Sequence, residues 1–180
     1  MALEDGVKIF NGKLEPTESE GSSPVESQVT TRDMLDAARV IGATLAERTK
    51  QAERGFELEI DDDLLLQRRL LLCFAVSTGL EEFAVTQQVA RTALNSFYDS
   101  LKRSDPEFYD DIGSTGAFSF YYLAKRQRGD TVRRIGQTFA MLCGQDGDPV
   151  CQELGEALYC RYLDMVKVEL ARHNLKMQDQ

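Results

Sequence analysis

The chain has no tryptophan and a single histidine, His173. Flanked by Arg172 and Asn174 in a polar stretch near the C-terminus, that imidazole is expected as a solvated side chain at the negative end of a helix dipole rather than as a general base. The four cysteines, Cys73, Cys143, Cys151 and Cys160, form no closely spaced pair, which excludes both a disulfide-stapled scaffold and a paired-cysteine metal motif and predicts reduced thiols. Cys151 and Cys160 are expected on one helix, where about 100° per residue puts them on opposite faces. No glycine-rich phosphate loop of recognised form precedes a helix. The longest apolar run, Leu70 to Val76, falls far short of a bilayer span, and Met1 to Asp5 has neither the basic start nor the apolar run of a signal peptide. The default expectation is a cytoplasmic location without membrane attachment.

Positive charge is also scarce: 21 Lys and Arg stand against 30 Asp and Glu, giving a net charge of -9. A field of that sign repels phosphate backbones and anionic lipid heads, so nucleic acid and membranes are disfavoured as partners. The one basic stretch, Lys125, Arg126, Arg128, Arg133 and Arg134, bends around Gly129-Asp130. Its outline resembles a helix-turn-helix corner, but cations at a helix C-terminus, paired with Asp110, Asp111 or the Asp61 to Asp63 run, account for it better.

What the chain does have is helical periodicity. A length of 180 residues suits one domain able to bury about 70% of the surface of its unfolded form. Residues 1–30 read as a flexible acidic arm, since Leu14 to Thr30 is rich in Glu, Ser, Thr, Gly and Pro with little to bury. A short β-hairpin or strand is allowed around it: Val7 to Phe10 ends at Asn11-Gly12, and Phe56, Leu58 and Ile60 alternate with acids. Residues 31–180 are expected to form an all-α bundle of about six helices plus a short helical turn.

The first helix is expected from Thr30 or Thr31, with Met34, Ala38, Ile41 and Leu45 within about 60° on the wheel. So narrow a seam suits docking on one neighbouring helix, in the same chain or in a second copy. Asp61-Asp62-Asp63 open the second helix, apolar on almost every face and therefore central, with Arg68 and Arg69 near an end of its buried part. Thr86 caps an amphipathic third helix. Asp105-Pro106-Glu107 start a short fourth one that Gly113 ends, and Ser114 or Thr115 caps a fifth that must be largely covered. Asp130 caps the sixth and Asp148-Pro149 the last, which runs to about Arg172 with Val150, Leu154, Ala157, Leu158, Tyr162 and Met165 inward.

Eight of the fifteen aromatic residues lie between Phe97 and Tyr122. Such density builds a core or a pocket, and any exposed remainder marks a partner surface. Within it Gly113, Ser114, Thr115 and Gly116 sit at a helix start, where free backbone N–H groups can hold an anion, with Tyr121, Tyr122 and Arg126 as walls. Capping alone explains the same four residues. Asp146-Gly147-Asp148 with Glu153 and Glu156 fails the calcium-loop spacing and reads as a turn before a capped helix. No catalytic residue, metal or cofactor is expected. The functional expectation is a protein-interaction or regulatory binding module, acidic and self-associating through Met34, Ala38, Ile41 and Leu45. The alternative is a small-molecule or anion-binding protein, with or without enzymatic activity, built on Gly113 to Gly116.

Overall fold

Helix α2 (Asp62–Phe83) is the axis on which the other elements are assembled. Every residue from Leu70 to Leu80 is buried, so it has no solvated face over three turns. The two hydroxyls in that stretch need partners, and they donate to the preceding turn: Ser77 to the Cys73 carbonyl and Thr78 to the Phe74 carbonyl, both at 3.0 Å. The computed structural model describes residues 24–54 and 62–177, and over them the protein is an all-α bundle of seven helices without a sheet. The expected strands at Val7 to Phe10 and at Phe56 to Ile60 lie outside the described residues.

Helix α1 (Pro24–Arg54) packs along α3 (Gln87–Ser104). It begins at Pro24 rather than at Thr30 or Thr31, so the last seven residues of the supposed linker are helical. Proline suits a first helical position, and a helix anchored by packing extends outward at one hydrogen bond per residue. Gly42 lets the two helices touch. A Cβ there would stand 2.1 Å from the Ala93 carbonyl oxygen, and beside it the Ser96 hydroxyl donates to the Arg39 carbonyl at 2.7 Å.

The caps read from the sequence are in place. Thr86 accepts from Val89 N, Asp105 from Phe108 N and Asp130 from Arg133 N, each at 3.2 Å, and Asp148 from Val150 N at 2.7 Å. They open α3, α4 (Pro106–Ser114), α6 (Thr131–Leu142) and α7 (Pro149–Arg172). Asp105 also takes the ion pair of Arg69, whose guanidinium lies 3.6 Å over the Phe108 ring. This supplies the carboxylate that an arginine at the edge of a core requires. Two local expectations fail. Gly113 does not stop α4, which continues to Ser114, and α5 (Ala117–Arg126) starts from Gly116 in the left-handed region (φ 67°) without a side-chain cap. Thr115 Oγ1 reaches Ala117 N only at 3.5 Å. A glycine able to adopt positive φ turns the chain here and takes over the role given to the hydroxyls.

Helix α7 is rotated from its expected orientation. Val150, Leu154 and Ala157 point outward or lie only partly covered, while Gly155, Leu158, Tyr159, Tyr162, Val166 and Leu170 face inward. The cause is a glycine contact: a Cβ on Gly155 would lie 3.0 Å from Gly136 Cα and 2.7 Å from Phe139 Cβ, and one on Gly136 would lie 2.5 Å from the Gln152 carbonyl oxygen. Close approach of α6 and α7 through two missing side chains outweighs the burial of Leu154. After α7, Asn174 adopts φ 55° and the chain turns back, so that Val85 N donates to the Leu175 carbonyl at 2.8 Å and Met177 N to the Phe83 carbonyl at 2.7 Å.

Candidate functional site

The residues expected to form an anion pocket are not gathered into one. Gly113, Ser114, Thr115 and Gly116 are exposed where the end of α4 passes into α5, and Arg126 lies at the far end of α5, roughly 15 Å away along a ten-residue helix. Tyr121 is fully buried, its ring stacked on Phe74 at 5.1 Å; Tyr122 meets the same ring edge-on at 5.2 Å. Phe118 and Tyr159 approach Phe74 from two further directions. The aromatic run therefore closes on a residue outside itself, in α2, which no reading of the run alone reveals. Tyr98 shares a 2.7 Å hydrogen bond with Ser77. The Tyr121 hydroxyl is buried with no hydrogen-bond partner among the described residues, and burial, then the neighbouring Cys143 and Cys151, push its ionisation well above the ordinary phenol range.

The seam Met34, Ala38, Ile41 and Leu45 is used inside the chain. Ala38, Ile41 and Leu45 are fully buried in the core and Met34 is half-buried against it. The close α1–α3 approach at Gly42 leaves these side chains no exposed face to offer a second copy.

Exposed apolar surface lies elsewhere, where α5 and α6 form an antiparallel hairpin. Phe120 is 47% exposed, Leu123 58% and Met141 40%, against the expectation that α5 is largely covered. Two stripes line an open groove of about 320 Å³: Phe120, Leu123 and Ala124 from α5 with Gln127 just past its end, and Arg134, Gln137, Thr138 and Met141 at i, i+3, i+4 and i+7 from α6. Arg134 stands at one end, its Nη1 donating to the Gln127 carbonyl at 2.9 Å, and Asp146 closes the other. Neither of the pairings expected for the basic stretch is formed by Lys125, which bonds Glu82 of α2 at 3.2 Å. The stripes are legible in the sequence, but as faces of helices whose direction toward core or solvent only the packing on Phe74 decides.

The remaining chemistry is sparse. Cys73 is wholly buried and its thiol is pushed far up by desolvation; Cys143 is pushed to about 12 by burial and by its neighbour Cys151. Such thiols are poor nucleophiles. Cys143 and Cys151, eight positions apart, interact across the α6–α7 turn, a pairing that sequence spacing did not suggest. His173 caps α7 with Nε2 3.9 Å from Glu169, a buried carboxylate that Arg48 and Arg172 hold at 3.0 and 3.1 Å. Among the described residues no three His, Cys, Asp or Glu side chains converge as a metal would need, and no helix is long and apolar enough to cross a membrane. Compared with protein-family models, curated proteins and solved structures, the chain matches none of them.

Proposed function

We propose that the protein is a non-catalytic binding module that works as a homodimer, with the α5–α6 groove as the pairing surface. The observation that carries this reading is the exposure of Phe120, Leu123 and Met141 side by side on one hairpin face. Large apolar side chains grouped in a groove between charged ends are the ordinary anatomy of a protein-binding surface. A second copy is the occupant because the face is self-complementary. A two-fold axis across the hairpin lays each Phe120–Leu123 stripe on its counterpart and brings Arg134 of each copy to Asp146 of the other, as an isologous contact requires. The mutual repulsion of two chains each bearing -9 makes those two pairs the elements that set register.

Sedimentation velocity across a concentration series tests this. The wild-type chain is expected to dimerise, Leu123→Glu to be monomeric, and Arg134→Glu and Asp146→Lys each to be monomeric alone yet to form a mixed dimer with one another. A wild-type monomer at the highest soluble concentration overturns the reading. So does a dimer indifferent to Leu123→Glu and to both charge reversals.

A further inference from the structure

A second concavity, unrelated to the hairpin face, opens between the C-terminal half of α1, the first turns of α2 and the middle of α7, with a volume of about 690 Å³. That is within the range of small-ligand sites. Its wall concentrates positive charge in an acidic protein: Arg48 from α1, Arg68 from α2 and Arg161 from α7 face it, against Asp164 as the one carboxylate of the lining. Its floor is apolar, made by Leu72, Leu158, Met165 and Val168.

The three guanidiniums are differently committed. Arg48 is anchored by one nitrogen, Nη2, to Glu169 at 3.0 Å, which fixes its direction and leaves further N–H donors of its fork. Glu169 in turn is shared with Arg172, and Asp164 is 3.5 Å from Lys167, so neither acid is matched to the arginine wall alone. Arg68 lies beside Tyr162 at the inner end of the cavity. Burial raises the ionisation of that phenol, while Arg68 and then Arg161 pull it back. Positive potential therefore reaches the floor from two helices. Arg161, at the surface of α7, is the guanidinium best placed to meet a ligand from solvent.

We propose that this cavity binds an amphiphilic oxyanion, a carboxylate or phosphate headgroup on Arg161 and Arg48 with an apolar tail on Leu72, Leu158, Met165 and Val168. Guanidinium forks match planar and tetrahedral oxyanions in paired hydrogen bonds, and an apolar floor beside them selects ligands that carry a hydrocarbon portion. The same headgroup chemistry occurs in free alkyl acids and in lipid bilayers, and the cavity shape favours the free molecule.

Isothermal titration of the full chain with decanoate, decyl phosphate, decanol and inorganic phosphate separates the contributions. Decanoate or decyl phosphate is expected to bind at one molecule per chain, about tenfold or more tighter than decanol or inorganic phosphate, because head and tail act together. Arg161→Gln and Val168→Glu are each expected to weaken it at least about fivefold, while Leu123→Glu on the hairpin leaves it unchanged and so keeps this result independent of dimerisation. Both cavity substitutions lie at solvent-facing positions, and helical circular dichroism checks that each variant is folded. Absence of saturable binding overturns the proposal. So does equal affinity for decanol, insensitivity to both cavity variants, or binding to phosphatidylglycerol vesicles with none to the free amphiphiles.

Discussion

The α1–α3 contact and the α5–α6 hairpin are both pairs of packed helices with apolar stripes, yet the first is closed and the second open. At α1–α3 the backbones meet at Gly42, and Ala38, Ile41 and Leu45 vanish completely. At α5–α6 the aromatic residues divide: Tyr121 turns inward to stack on Phe74, and Phe120 and Leu123 are left in solvent one helical face away. The difference teaches that a stripe says only that a helix has something to bury. Whether its own chain covers it depends on how closely the next backbone can come, which small residues decide.

Substitution at the closed contact has the largest expected effect. Gly42→Ala places a methyl group against the backbone of α3, 2.1 Å from the Ala93 carbonyl oxygen and 2.8 Å from Phe97 N, neither of which can rotate aside. A loss of about 3 kcal/mol or more is expected in urea or thermal unfolding, at the upper end of overpacking costs. Gly113, in the last turn of α4, sets the opposite limit, because a methyl group there would meet nothing within 4 Å. There Gly113→Ala is expected to be neutral or to add up to about 0.5 kcal/mol through helix propensity. Equal responses at the two glycines would remove the close-approach argument.

Alkaline unfolding sharpens the same contrast through the thiols. Cys73 lies in the fully buried turn of α2, and desolvation lifts its ionisation far above an ordinary thiol value of 9.0. The folded state then holds the proton more tightly than the unfolded chain. Its contribution is complete below pH 9 and declines as pH rises above it, with a slope of about 1.4 kcal/mol per pH unit for one such group. Cys143, half-buried and raised to about 12, adds a smaller, solvent-screened part over the window from 9 to 12, and the buried phenols of Tyr98 and Tyr121 join above 10. Stability measured by urea midpoint is expected to be lower at pH 10 than at pH 8, and Cys73→Ala to flatten that decline while leaving the remainder. An unchanged slope in Cys73→Ala would show that the thiol does not report burial.

How much of this was legible follows from the range of each interaction. Thr86, Asp105, Asp130 and Asp148 were readable as caps because a cap is a contact over two or three residues. The central burial of α2 was readable because no face of Leu70 to Val76 is polar. The rotation of α7 was not, since it rests on Gly136 and Gly155, nineteen positions apart, and a wheel drawn for one helix ranks Leu154 above Gly155. The same applies to the aromatic run, whose organising partner Phe74 comes from another helix, and to the arginine cavity, assembled from Arg48, Arg68 and Arg161 of three helices. Gly116 displaced Ser114 and Thr115 as the start of α5 because the chain turns between α4 and α5 through a left-handed φ, which glycine adopts without strain.

A last substitution, smaller in effect than Gly42→Ala, probes the boundary between the closed and open regions, at Tyr121. Its ring contributes to the stack on Phe74, but its hydroxyl is buried with no hydrogen-bond partner among the described residues. A buried polar group without a partner loses its hydration for nothing, a penalty of about 1–3 kcal/mol that a phenylalanine does not incur. Tyr121→Phe keeps the ring, so thermal unfolding is expected to show stability unchanged or raised, by no more than that penalty of about 1–3 kcal/mol. Were the hydroxyl a working part of an anion site with Gly113 to Gly116, its removal would leave stability alone and weaken phosphate or carboxylate binding there instead. A clear loss of stability in Tyr121→Phe would mean that the hydroxyl is satisfied within the fold, and the inner edge of α5 would then be as fully closed as the α1–α3 contact.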